Sequence, residues 1–247
     1  MTLVVTGGTK GIGLAIARRL ARPDAPLVLV YRSDEAAAEA ARLELMAVGA
    51  RVTTVQADVG QIAGAAKVAE AAEQAGGGPL ELVHSAAMIY PTALLDSDLE
   101  KFTRAIHVNG LSLLYLVQKA LPMMERGSSV VFISSAGARL ATANYAALGA
   151  GKALAESLIR YLVPELAPRG VRINAVAPGL VDTGSVAGMV GGKDAAARVL
   201  ERAAQSNPSG RLSRDADYAA VVEFLLSPAA EFVQGQIIHV NGGAYVP

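Results

Sequence analysis

The sequence predicts a doubly wound α/β fold, a parallel sheet covered by helices on both faces. Short runs that are apolar at nearly every position alternate with alanine-rich helical stretches from end to end, as strands buried on both faces do. A glycine-rich turn, TGGTKGIG over residues 6–13, separates the first strand from the first helix. No internal repeat, coiled coil or low-complexity linker breaks the alternation, so residues 1–247 read as a single domain.

Residues 3–6 (LVVT) open the strand series and 12–21 form the first helix. Residues 27–31 (LVLVY) are the second strand, followed by a helix over 34–48 that Gly49 stops. Further strands fall at 51–56, 80–84, 130–134, 172–177 and 236–240. The helices between them lie near 62–76, 98–125, 146–167 and 215–226. Residues 182–211 are weakly patterned. Their glycines (GSVAGMVGG) and lack of a strand suggest a mobile lid over a substrate rather than a domain boundary.

Composition excludes several functions. Apolar residues at 52% against 18% charged give enough material for one large core. The 22 basic residues balance 22 acidic ones with no basic block, which leaves nucleic acid or an anionic membrane no electrostatic footing. With no cysteine there is no disulfide or thiolate chemistry, and His84, His107 and His239 are too dispersed to suggest a metal site. No apolar run reaches the roughly eighteen residues of a membrane span. The opening MTLVVTGG enters a strand directly, and a cytoplasmic protein is expected.

Gly7, Gly11 and Gly13 allow a tight turn whose amides approach a pyrophosphate at a helix N-terminus. Placed between a strand and a helix, this turn is a dinucleotide site rather than a plain connection. Beyond the second strand, Arg32 and Ser33, with Lys10 from the glycine turn, form a candidate pocket for a 2′-phosphate. That favours NADPH, with Asp34 and Glu35 keeping NADH as the lesser alternative.

These motifs resemble the short-chain dehydrogenase/reductase family along essentially the whole chain. Thr6, Gly7, Gly11, Ile12 and Gly13 match its T-G-x-x-x-G-x-G turn, and Asp58-Val59 its adenine-contacting pair. His84-Ser85-Ala86-Ala87 stands where the family has N-N-A-G and departs from it; the resemblance still places Ser85 and Ala86 at the cofactor. Asn109 takes the place of the proton-relay asparagine, and Ser134-Ser135 ends the fifth strand. Pro178-Gly179, Val181 and Thr183 follow the sixth, with Thr183 at the nicotinamide carboxamide position, and Asn241-Gly242-Gly243 closes the last. The resemblance implies a Rossmann-type sheet of seven strands in the order 3-2-1-4-5-6-7.

In most of that family the active site reads S-x12-Y-x3-K. Ser135 and Lys152 keep the register, but the tyrosine position holds Leu148, which cannot donate a proton. The nearby phenol is Tyr145, giving Y-x6-K. Residues seven apart lie almost in line on a helix, so both side chains can address one cofactor. Moving the phenol one turn shifts it by about 4.5 Å, at about 1.5 Å per residue, and so changes the substrate oxygen it reaches.

Y-x6-K resembles the enoyl-acyl carrier protein reductases of the superfamily, and the surrounding text their NADPH-dependent type III branch. The resemblance implies hydride transfer to the β-carbon of an enoyl thioester, with Tyr145 on the enolate oxygen. Lys152 would bind the ribose and lower the phenol pKa, while Ser135 and Asn109 support the proton path. The expected partner is an acyl thioester on coenzyme A or a carrier protein, with Arg198, Arg202 and Arg211 as candidate carrier contacts. A carbonyl reductase using Tyr145 and a catalytically silent NADPH-binding protein are the rival readings. The family resemblance also implies a homotetramer or homodimer packed through the helices at 98–125 and 146–167, with the C-terminal GGAYVP at a subunit contact.

Overall fold

The computed structural model describes residues 1–247. Its seven strands are β1 (Thr2–Thr6), β2 (Pro26–Tyr31), β3 (Arg51–Gln56), β4 (Leu80–His84), β5 (Ser129–Ile133), β6 (Arg172–Pro178) and β7 (Ile237–Val240). All pair in parallel, in the order β3-β2-β1-β4-β5-β6-β7. The order reverses beside β1, between β1 and β4, which opens a crevice at the carboxyl ends of those strands.

Alternation along each strand divides the core in two. Val4, Leu82 and Val130 point to one face, where they meet Ala65 and Val68 of α3 (Ile62–Ala75), Leu113 and Leu116 of α5 (Ser112–Ala120) and Ile159 of α6 (Ala146–Leu166). Leu3, Val5, Val83 and Val131 point to the other face. There they pack on Ile16 and Leu20 of α1 (Gly11–Leu20), Leu45 of α2 (Glu35–Met46) and Tyr218 and Val222 of α9 (Asp215–Leu226). Each fully buried aliphatic side chain contributes about 1.5–3 kcal/mol, so the strands carry much of the stability and hold their ends rigidly. No helix is long and apolar enough to cross a membrane.

Two expectations gain detail. The helix expected over 98–125 is present and continuous, running from α4 (Leu99–Ile106) through a widened π-turn over His107–Leu111 into α5. The extra residue in that turn is stabilised by the Asn109 amide. Asn109 accepts from the Met88 amide at 2.8 Å and donates to the carbonyls of Met88 (3.0 Å) and Ala147 (3.3 Å). Secondly, the 182–211 segment is largely helical, as α7 (Gly184–Val190) and α8 (Lys193–Ser206). Each helix buries one residue, Val186 and Ala196 respectively, so both lie lightly on the body of the protein.

Candidate active site

The glycine turn is built by a close approach. Gly7 has φ +65°, and a Cβ there would lie 2.9 Å from Ala86 Cα, so the turn rests directly on the chain leaving β4. The Thr6 carbonyl accepts from the Ser85 amide at 3.2 Å and its hydroxyl from the Ala86 amide at 3.2 Å. Thr6, Gly7, Ser85 and Ala86 therefore form one wall. Gly11, Ile12 and Gly13 begin α1, whose N-terminus has no side-chain cap and no acid in its first turn. Bare amides and a helix dipole without a competing carboxylate fit a pyrophosphate. Gly11 faces the Thr183 side chain across ordinary contact distance, which brings the segment after β6 over the same crevice.

The remaining positions are distributed along the sheet edge. Asp58 follows β3 and accepts from the Gly60 amide and from Arg104, both at 3.1 Å; Val59 beside it is buried. An open cleft of about 520 Å³ borders Asp58 between α3 and α4, away from Tyr145. At the tip of β2, Arg32 makes no ion pair, and Ser33 is exposed. Lys10 is engaged by Asp34 at 2.6 Å, and Asp34 also caps α2 through the Ala37 amide. Pro178 ends β6, the Gly179 amide donates to Val240 at 2.9 Å, Val181 is buried and Thr183 precedes α7.

Tyr145 and Ser135 meet at 3.0 Å, hydroxyl to hydroxyl. Tyr145 stands just before α6 rather than inside it, in a turn where Asn144 adopts φ +59°. Ser135 also accepts from the Gly137 amide at 3.1 Å, and Gly137 lies under the tyrosine ring, where a Cβ would sit 2.3 Å from Cε1. Burial pushes the phenol above its ordinary value, while the Ser135 bond pulls it the other way. Leu148, at the position usual for tyrosine in the family, is buried.

Lys152 is buried. Its ammonium donates to the Ile133 carbonyl at 2.6 Å and lies 4.4 Å from the centroid of the Phe132 ring. Burial lowers its pKa to about 7. The charge expected to help the phenol is thus directed at the end of β5 in the protein alone. One turn on, buried Glu156 accepts from Ser134 at 2.6 Å and Arg139 at 2.9 Å, pinning α6 to the β5 tip. Sequence reasoning did not single out Gly137, Phe132 or Glu156. Their contacts are long-range, and only the glycine beside Ser135 carries any local signal.

His84 replaces the first asparagine of the family segment and is fully buried. Thr6 Oγ1 accepts from Ala86, so its own hydrogen is free for His84 Nδ1 at 2.6 Å. Ser112 Oγ donates to Val108 O at 2.7 Å and therefore accepts from His84 Nε2 at 2.6 Å. The bonds select the neutral Nε2–H tautomer. Burial, then the Lys152 charge, lowers its pKa to about 3.

Comparison with known proteins is consistent across sequence and structure. Residues 7–245 match the family model described as enoyl-(acyl carrier protein) reductase. An uncharacterised oxidoreductase of Methylorubrum extorquens is 36% identical, covering 97% of this chain and 96% of that protein. An NADPH-dependent aldehyde reductase-like protein of Arabidopsis thaliana is 32% identical (97% and 92%), and the 1-cyclohexenylcarbonyl-CoA reductase of Streptomyces collinus 31% (97% and 85%). A short-chain dehydrogenase from Burkholderia cenocepacia, solved in complex with NADP, superposes with a TM-score of 0.87 at 28% identity, covering 98% of this chain and 96% of that one. With its sheet order, glycine turn and Ser135–Tyr145 pair, this chain belongs to the short-chain dehydrogenase/reductase family and is an oxidoreductase.

Proposed function

We propose that the protein is an NADPH-dependent reductase of the C=C bond in an α,β-unsaturated acyl thioester. The observation that carries this reading is the placement of the phenol. Tyr145 is the hydroxyl partner of Ser135, seven residues before Lys152, while aliphatic Leu148 fills the usual position. The Streptomyces relative named for a CoA thioester and the matching family model support it. The NADP-bound neighbour and the Arabidopsis relative support NADPH, with Arg32, Ser33 and Lys10 as the residues for its 2′-phosphate.

NADPH, with its pyrophosphate at the glycine turn, would supply the hydride. Hydride addition at the β-carbon moves the π electrons toward the thioester, so charge develops on its oxygen and a proton completes the α-carbon. Tyr145 hydrogen-bonds or protonates that oxygen, and Ser135 orients the phenol and keeps its proton mobile. Lys152 would hold the ribose and, on leaving the Ile133 carbonyl, turn its charge toward the phenol. Asn109, fixed by three backbone bonds, shapes the relay side of the site. The α7–α8 segment folds over the acyl chain as a lid, and the working enzyme is a homotetramer or homodimer with an acyl-CoA or acyl-carrier-protein substrate.

NADPH consumption with a crotonyl-type thioester, run beside an acetoacetyl-type thioester, tests this. Turnover of the enoyl substrate alone, lost in Tyr145→Phe, is the expected result. Turnover of the keto substrate alone would establish the second reading, a carbonyl reductase, which the Arabidopsis aldehyde reductase-like relative favours. NADPH binding without turnover of either would point to a silent binding protein.

A further inference from the structure

Lys152 is an unusual neighbour for the inside of a sheet. Its ammonium is buried, has a single hydrogen-bond acceptor, the Ile133 carbonyl, and rests against an aromatic face. That ring is not free to move. Phe132 is fully buried on β5, and the parallel register with β4 sets it opposite His84. The two rings lie 5.4 Å apart at 58°, and His84 is tied at both nitrogens, to Thr6 and to Ser112. The chain of bonds thus runs from the glycine turn, through His84, to the wide turn that carries Asn109.

We infer that Phe132 is a positioning residue for Lys152: its ring, braced by His84, holds the ammonium by its π face at the tip of β5. A buried ammonium with one acceptor is poorly compensated for the water it loses, and a desolvated ring face offers it cation–π attraction stronger than at an exposed site. The brace is chemically matched to this task. The imidazole is confined by its bonds to the uncharged tautomer, so no second positive charge stands behind the ring. An aliphatic residue at 132 would fill the same volume without attracting the cation.

Most other ionisable groups near the helix are already engaged; His239 of β7, near Glu156, stacks on Tyr245 and leaves its buried Nδ1 unpartnered. Tyr145 bonds Ser135, and Glu156 takes Ser134 and Arg139. From the elements packed on α6, His107 turns its ring to Tyr115, while Lys101 and Arg104 of α4 pair with Asp98 and Asp58. The Phe132 face and the Ile133 carbonyl are what remains for Lys152.

The inference deepens the role proposed above for Lys152, but its test reads the lysine directly. Phenylalanine at 132 is replaced by a graded series of ring-fluorinated phenylalanines, which keep shape while draining the π face. The Lys152 titration is followed by 13Cε resonance in the cofactor-free protein, assigned through Lys152→Arg. A cation–π contact stabilises the charged form, so the midpoint should fall step by step with fluorination, by about one pH unit at full substitution. Phe132→Leu should fall to the same end, and Phe132→Tyr, where folded, should retain the wild-type midpoint. An unmoved midpoint across the series overturns the inference. Because no substrate is involved, that outcome is separable from failure of the enoyl reductase reading, which enoyl turnover alone decides.

Discussion

Tyr145 Oη and Ser135 Oγ stand 3.0 Å apart, and the residue that permits this is Gly137, whose missing side chain leaves room for the tyrosine ring. A Cβ at 137 would lie 2.3 Å from ring carbon Cε1, well inside contact distance. Gly137→Ala should therefore push the ring aside while leaving the sheet and cofactor wall intact. A displacement near 1 Å at a reacting group costs on the order of 10²-fold, so kcat should drop by about that factor. NADPH affinity, read by fluorescence titration, should stay within a few-fold of wild type. Equal loss of binding and turnover would show that the turn, not the phenol, had moved.

Lys152 gives a stability signature. Its pKa is about 7 in the folded protein against an ordinary 10.5. Between those values the unfolded chain binds a proton that the folded chain does not, so this residue's contribution rises with pH through that window and is lowest below about 7. Lys152→Met removes the titration. The melting temperature of the variant relative to wild type should be highest near neutrality and decline toward alkaline pH, as measured by scanning calorimetry. A difference independent of pH would mean that Lys152 titrates normally.

His84 predicts the same sign in acid. With its pKa lowered from 6.5 to about 3, the contribution is present above 6.5 and lost as pH falls toward 3, because the unfolded chain protonates first. Urea unfolding should show wild type losing stability across this window more steeply than His84→Asn, by up to about 1.4 kcal/mol per pH unit, the worth of one proton. Parallel curves would contradict the neutral, doubly bonded imidazole.

How much of this was legible in the sequence varies with the range of the forces involved. The strands were readable because burial on both faces makes every position apolar, as in VVF of β5, and the glycine turn because backbone approach demands a missing side chain. The widening at His107–Leu111 was not, since the residues around it have ordinary helical character. It arises from bonds between Asn109 and Met88 and Ala147, distant in sequence. Tyr145 and Lys152 were found by their spacing read against the family pattern, which could not say that Tyr145 precedes the helix or that Lys152 addresses Ile133. The helices of 184–206 were hidden by the glycines that separate them, Gly191 and Gly192, both at positive φ.

On the proposed reading, cofactor choice would turn on a contest at the tip of β2. Lys10 is held by Asp34 at 2.6 Å, and both side chains are substantially exposed, so the pair is weak and exchangeable. A 2′-phosphate, with more charge than a carboxylate, should displace Asp34 and take Lys10 together with Arg32. Asp34→Asn keeps the cap on α2, since asparagine caps as well as aspartate, but removes the competitor. The KM for NADPH should fall several-fold in this variant, while Lys10→Ala raises it about tenfold and neither changes the KM for NADH. Steady-state kinetics with both cofactors provide the check. Equal changes for NADH and NADPH would place the 2′-phosphate elsewhere, and an Asp34→Asn variant that gains NADH turnover alone would reverse the assigned preference.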